Sequence, residues 1–219
     1  MKGQKIKLKT TTQCKPDQSF ETAAYLMGFR AVCGVDESGR GPLAGPVVAA
    51  AVVFPTGCVV KGVNDSKKLT PSNREIFKER IIAKCLDYGI GVVDVDDIEQ
   101  LNILGASLEA MRRAVCSLKH IQPDLLLIDG IHRIHMKIPQ SAIRRGDAVC
   151  HSIAAASILA KCHRDDLMRE YHTSYPEYGF NRHKGYCTRR HLEMIRRCGI
   201  LPIHRKSFAP VRDFINLSE

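Results

Sequence analysis

Residues 31–42 read Ala31-Val32-Cys33-Gly34-Val35-Asp36-Glu37-Ser38-Gly39-Arg40-Gly41-Pro42, and the chain is organised around them. The apolar lead-in, Ala31 to Val35, has the length and composition of a short buried strand. It runs into two adjacent carboxylates and then a Gly-Arg-Gly turn. A second apolar run, Pro46 to Phe54, follows the turn. Ala31–Glu37 and Pro46–Phe54 are therefore predicted as strands one and two, paired antiparallel. Two neighbouring acids at the end of a buried strand are costly unless a cation meets them. An ordinary polar hairpin end is the bland alternative. Glycines let a backbone approach a ligand and take positive φ. An arginine between them suits a phosphate. Acids for metal beside a phosphate-binding turn point to phosphodiester chemistry.

Composition supports a polyanionic partner without identifying it. Lys plus Arg number 33 against 23 Asp plus Glu, a formal net charge of +10. Such a balance favours nucleic acid. At 219 residues the chain suits one domain with a small C-terminal extension. The first residues are basic and polar without an apolar segment, so no signal peptide is expected. The longest apolar run, Val47 to Phe54, is too short to span a bilayer. Nine scattered cysteines without a Cys-x-x-Cys argue against a disulfide framework or a zinc site. Free thiols imply a reducing, cytosolic setting.

Along the chain, residues 1–18 read as a flexible basic tail. Ser19 to Gly28 suits a short helix. Gly62 to Leu69 is a polar loop. Thr70-Pro71 reads as the cap and first residue of a helix to about Leu86, with Phe77, Ile81 and Cys85 on one face. Tyr88 to Val95 is a third strand, and a short helix spans Asp96 to Leu101. Leu104, Leu108, Met111, Val115 and Leu118 form a helical stripe that Pro123 ends. Leu125 to Ile128 suits a strand buried on both faces and stops at Asp129-Gly130. Ser141 to Arg145 is a further candidate strand. Gly146-Asp147 then opens a helix whose middle, Ser152 to Lys161, is small on one side. Thr188 caps a last helix that stops at Gly199. Strands alternate with helices after an initial hairpin, so the class is α/β with a mixed sheet.

The stretch from Asp36 to Val52 resembles the signature of ribonuclease HII, and the match is long and contiguous. Further motifs follow in the family's order. Asp65-Ser66-Lys67-Lys68-Leu69 is similar to its Asp-Ser-Lys-x-Leu. Lys184-Gly185-Tyr186 is similar to its Lys-Gly-Tyr, although Cys187 stands where glycine is commoner. His204 to Phe208 resembles its tail motif. The resemblance covers about residues 28–212. It implies the ribonuclease H-like fold, a mixed central sheet flanked by helices, plus a small helical C-terminal part. Residues 19–175 would be the catalytic domain and 176–219 a substrate-binding extension. It further implies a metal-dependent endonuclease, expected to act as a monomer, that cuts RNA in RNA–DNA hybrids. The family also incises duplex DNA at embedded ribonucleotides, leaving 5′-phosphate and 3′-hydroxyl ends.

Four carboxylates sit where the family carries its metal-site acids: Asp36, Glu37, Asp129 and Asp147. Hard oxygen ligands suit Mg²⁺ or Mn²⁺, and two such ions can clamp an in-line displacement at phosphorus. On pattern alone Asp129 could cap a turn, and Asp147 reads first as a helix N-cap. Successive strand side chains face opposite ways, so Asp36 and Glu37 can share a metal only where the strand is ending. Gly39, Arg40 and Gly41 would read the 2′-hydroxyl, Lys67 and Lys184 would meet phosphates, and Tyr186 would stack beside the ribonucleotide. A solvated loop at Lys67 and a core tyrosine at Tyr186 are the alternatives, while Tyr178 and Phe180 are expected to pack. From Lys161 to Arg212 twelve Lys or Arg face five acids, which suits a backbone-binding surface. Arg164-Asp165-Asp166 reads as a solvated helix face outside the site. A non-catalytic nucleic-acid binder or a small-molecule phosphohydrolase are the rival functions. Converging acids speak against the first, and the basic tail is superfluous for the second.

Overall fold

The computed structural model describes residues 15–216. Most of the expected tail, residues 1–14, lies outside the described residues. Asp17, near its end, pairs with Cys150 in an isolated bridge. The elements are α1 (Ser19–Leu26), β1 (Val32–Ser38), β2 (Val47–Val53), α2 (Pro71–Lys84), β3 (Asp87–Val93) and α3 (Val95–Cys116). Then come β4 (Leu125–Asp129), β5 (Gln140–Ile143), α4 (His151–Ser174), α5 (Phe180–His183), α6 (Arg189–Cys198) and α7 (Ala209–Asn216). The strands form one mixed sheet in the order β3-β2-β1-β4-β5. β1 pairs antiparallel with β2 and parallel with β4.

Residue chemistry explains the layers. β2 is Val-Val-Ala-Ala-Ala-Val-Val and is buried throughout, as a central strand covered on both faces must be. One face, with Cys33, Val35, Leu126 and Ile128, packs on α3 residues such as Ala110 and Ala114. The other face, with Ala50 and Val52, packs on the small residues Ala154 to Ala156 and on Ile158 of α4. A Cβ on Gly34 would overlap the α4 backbone at Ser152 and Ile153, so glycine there lets helix and sheet touch main chain to main chain. The small-residue side of α4 is the counterpart of that notch.

Local signals behave as read. The Thr70 hydroxyl accepts from the Asn73 amide at the start of α2, and the Thr188 hydroxyl accepts from the His191 amide at the start of α6. The short helix at 96–101 and the stripe from Leu104 are two halves of α3, broken at Asn102 (φ 57, ψ 170). The Asn102 side chain accepts from the amides of Leu104 and Gly105 and so caps the second half. Asp147 departs from expectation. It lies in a 3-10 turn, Gly146–Ala148, and α4 begins four residues later behind Cys150. It is not the N-cap of that helix.

Candidate active site

The parallel register of β1 and β4 pairs Val35 with Ile128, so the next residues, Asp36 and Asp129, stand side by side where the β1–β4 pairing ends. Carboxyl ends of strands are where α/β sheets gather their ligands. β1 continues past the two acids to Ser38, so Asp36 and Glu37 start from opposite faces. Their carboxylates nevertheless converge at the sheet's end. One oxygen each from Asp36, Glu37 and Asp129 lies within 4.8 Å of the others. The Glu37 amide donates to Asp36 Oδ1 at 2.7 Å, and the Gly146 amide donates to Asp129 Oδ1 at 2.6 Å. The second bond ties the Asp147 turn to the end of β4. Asp147 itself stands outside the tight trio and meets the Lys67 ammonium at 3.4 Å.

The trio is electrostatically unfavourable as it stands. Burial, then the charges of Glu37 and Asp129, pushes the Asp36 carboxyl well above its ordinary range. Burial also raises Glu37, opposed by Arg40, whose Nη1 lies 3.3 Å from Glu37 Oε1. Asp129 is raised by burial and by Asp147. Three hard oxygen donors whose mutual repulsion raises their pKa values are a fitting site for a divalent cation. Lys67 is exposed, and although partial desolvation beside the acids works against its charge, Asp147 and Asp36 outweigh it and raise its pKa. Lys67 sits in a 3-10 turn, Ser66–Lys68, where the Asp65 carboxylate accepts from its amide. A cleft of about 200 Å³ opens beside Glu37 and Asp129, lined also by Arg40, Ser107 and His132.

The glycine turn adjoins the acids. Gly39 takes φ +103 and a Cβ there would collide with Arg164, so only glycine fits. Gly41 is not in the positive-φ region; a Cβ there would touch the Tyr186 ring at 3.7 Å. Tyr186 is 44% exposed and is no core tyrosine. Tyr178 and Phe180 are fully buried and stack on each other. Lys184 is half-buried, and its ammonium donates to the Asp165 carbonyl at 3.3 Å.

Two expectations fail around α4 and the tail. Arg164 and Asp165 are buried rather than solvated. Asp165 accepts from Lys161 at 2.7 Å and pairs with Arg74 at 3.4 Å. Arg74 in turn holds the carbonyls of Ser66 and Leu69, so Asp165 braces the turn that carries Lys67. Asp166 alone of the three stays partly open, paired with Lys78 and Arg169. The basic run from Lys161 to Arg212 is likewise not all surface, because Arg164 and Arg205 are completely buried. Burial lowers the pKa of Arg164 to about 10 and of Arg205 to about 9, so both remain cationic at neutral pH. The sequence held one usable signal for Arg164. It follows Ala160 and precedes Met168 by four residues each, on the buried stripe of α4.

Known proteins resemble this chain along most of its length. The ribonuclease HII family model matches residues 33–211. A ribonuclease HII from Chlamydia caviae is 53% identical over 197 residues, which is 90% of this chain and 92% of the relative. The crystal structure of ribonuclease H2 from Pyrococcus horikoshii superposes with a TM-score of 0.72 at 28% identity, covering 85% of this chain and 98% of that one. Bst-RNase HIII in complex with Mn²⁺ shares the fold at a TM-score of 0.65 and 19% identity, covering 92% and 74%. The expected ribonuclease H-like fold is therefore present, and the chain belongs to the ribonuclease HII family of ribonuclease H enzymes.

Proposed function

We propose that this enzyme hydrolyses the RNA strand of RNA–DNA hybrids and also incises duplex DNA on the 5′ side of embedded ribonucleotides. The products would be 5′-phosphate and 3′-hydroxyl ends. The observation that carries this reading is the juxtaposition of the Asp36, Glu37 and Asp129 oxygens with the Gly39–Gly41 turn and the exposed Tyr186 ring. A phosphate chain crossing the acids would thus lie beside main chain able to sense a 2′-hydroxyl, the group that separates RNA from DNA at one position.

Asp36, Glu37 and Asp129 would hold Mg²⁺ or Mn²⁺, with Asp147 completing the set as the scissile phosphate docks. A pair of such ions would supply water activation and charge compensation at the leaving 3′-oxygen. Gly39 and Gly41 bring the backbone close to the ribose. Arg40, Lys67 and Lys184 balance phosphate charge. Tyr186 lies flat against the sugar on the 3′ side of the cut. Residues 19–175 carry the chemistry and 176–219 grip the duplex, in a monomer. A reducing cytosol suits the eight described cysteines, all free thiols. No described helix is long and apolar enough to cross a membrane.

The test is a duplex holding one ribonucleotide, incubated with Mg²⁺, Mn²⁺ or chelator, with the ends mapped. Cleavage 5′ to the ribonucleotide that requires the cation is expected. Cleavage of free nucleotides only, or undiminished cutting in chelator, overturns the reading.

A further inference from the structure

Arg164 and Arg205 are fully buried, and neither forms an ion pair among the described residues. A buried cation is costly unless its donors are satisfied. Here main-chain carbonyls satisfy them. Arg205 Nη2 donates to Gly39 O at 2.6 Å, Gly45 O at 2.7 Å and Pro46 O at 3.2 Å. Its Nη1 donates to Arg40 O at 2.9 Å and its Nε to Gly45 O at 3.0 Å. Arg164 donates to Pro46 O at 3.0 Å, Ala44 O at 3.1 Å and Lys184 O at 3.0 Å. The two guanidinium groups thus share Pro46 O. One reaches the Gly39-Arg40 turn and the other reaches the Lys184 loop.

The second loop is pinned at almost every polar backbone atom. The Leu43 amide donates to Gly185 O at 2.8 Å, a direct bond between the loops. The Gly185 amide donates to His183 Nδ1 at 3.2 Å. Three contacts then assign protons in series. The Leu201 amide donates to His204 Nδ1 at 2.8 Å, so His204 carries its proton on Nε2. That proton is donated to His191 Nε2 at 3.0 Å. His191 therefore keeps its own proton on Nδ1 and donates it to Tyr186 O at 3.0 Å. Each bond has one donor and one acceptor with both rings neutral.

We propose that Arg164 and Arg205 are positioning residues that fuse the Gly39–Gly41 turn and the Lys184–Tyr186 loop into one rigid substrate-reading element. Neither guanidinium touches substrate; each acts through backbone. The inference rests on the substrate reading above. The 2′-hydroxyl contact and the tyrosine surface are then set at a fixed spacing, so selection for a ribonucleotide junction depends on residues remote from it. Arginine is required because its planar fork bridges several carbonyls at once, whereas an ammonium is a point donor.

The experiment compares wild type, Arg164→Lys, Tyr186→Ala and the double variant on a single-ribonucleotide duplex and on a continuous hybrid. Arg164→Lys should lose about tenfold in kcat on the single-ribonucleotide duplex, with KM changed less than about threefold and a smaller loss on the hybrid. Residues that act through one another are non-additive. Tyr186→Ala should therefore cost markedly less in the Arg164→Lys background than the about ten- to a hundredfold it costs in wild type, with the double variant close to Tyr186→Ala alone. Equal losses on both substrates, with the full Tyr186→Ala effect retained, make Arg164 a stability residue only and overturn the proposal. Hydrogen exchange on the wild-type protein decides it even if the variants fail to fold. Corrected for intrinsic rates, the amides of Leu43, Gly45 and Tyr186 should show one common protection. Tyr186 protected more than about tenfold less than Leu43 means the loops open separately and refutes the coupling. A wild type that cuts neither substrate sinks the functional reading instead, and the exchange result still stands.

Discussion

Replacing Asp129 by Asn should remove cleavage and stabilise the fold together. The substitution is isosteric and keeps an oxygen to accept from the Gly146 amide, so charge is the chief change. At an effective dielectric constant of about 20, two carboxylates 4.8 Å apart repel by about 3.5 kcal/mol. Asp129 faces two such neighbours, but protonation relieves much of the repulsion, as the raised pKa values of all three acids indicate. A net gain of about 2 kcal/mol is the reasonable expectation, or about 4–8 °C in Tm for a domain of this size. The sign follows from linkage. A carboxyl whose folded pKa is raised holds its proton longer in the folded state. Folded protein then binds more protons than unfolded protein above the ordinary value of 3.8, and stability falls as pH rises through that window. The advantage of Asp129→Asn should therefore be full at neutral pH and vanish below the ordinary carboxylate range. The assay is thermal unfolding of both proteins in chelator from pH 3.5 to 8, then again with Mn²⁺. Mn²⁺ should raise the wild-type Tm more than that of the variant. Cleavage should fall more than about a hundredfold, the scale of losing charge stabilisation at a reacting centre. A variant no more stable than wild type at neutral pH in chelator would falsify the repulsion argument. Near-normal cleavage by folded Asp129→Asn would remove that residue from the site.

Three further outcomes are expected. Asp165→Asn should destabilise by about 2–3 kcal/mol, because it leaves Arg74 and Lys161 half-buried without their counter-charge; urea unfolding measures it, and a neutral result refutes the bracing role. Lys67→Ala should flatten the salt dependence of hybrid binding by about one unit if its exposed ammonium meets a phosphate, whereas an unchanged slope confines it to Asp147. Tyr186→Ala should lose about ten- to a hundredfold on a single-ribonucleotide duplex, and less on a continuous hybrid, since stacking is worth roughly 1–3 kcal/mol. Equal losses on both substrates would show that the ring does not read the junction.

The features legible in the chain were those whose physics is local. Apolar runs marked the strands. Threonines followed by helical patterns marked the caps of α2 and α6, since a cap bonds amides two or three residues away. The pairing of Asp36 and Glu37 with the glycine turn was visible because they are adjacent, and Asp129 because it ends an unbroken apolar run. The split of α3 showed as two periodic segments, though not as the Asn102 kink that joins them.

Long-range pairing decided the rest. Whether Asp36 and Glu37 could share a ligand depended on where their side chains turn at the end of the β1–β4 pairing, and the parallel register brings Asp129 to both. Asp147 read as a helix cap because a helix follows it. Its place is set instead by the bond from Gly146 to Asp129, across seventeen residues. Arg164-Asp165-Asp166 looked solvated, and the tail arginine part of a binding surface, because charge outweighed the one helical stripe that sets Arg164 among buried residues. Arg205 meets Gly39 only after 166 residues of chain have folded back, so its partners are carbonyls that every residue possesses and no side-chain pattern advertises. The chain by itself determined which groups exist and which local elements they join. Only the assembled sheet, with α3 and α4 on its two faces, decided which charges would be buried together, because burial and electrostatic coupling are properties of neighbours in space.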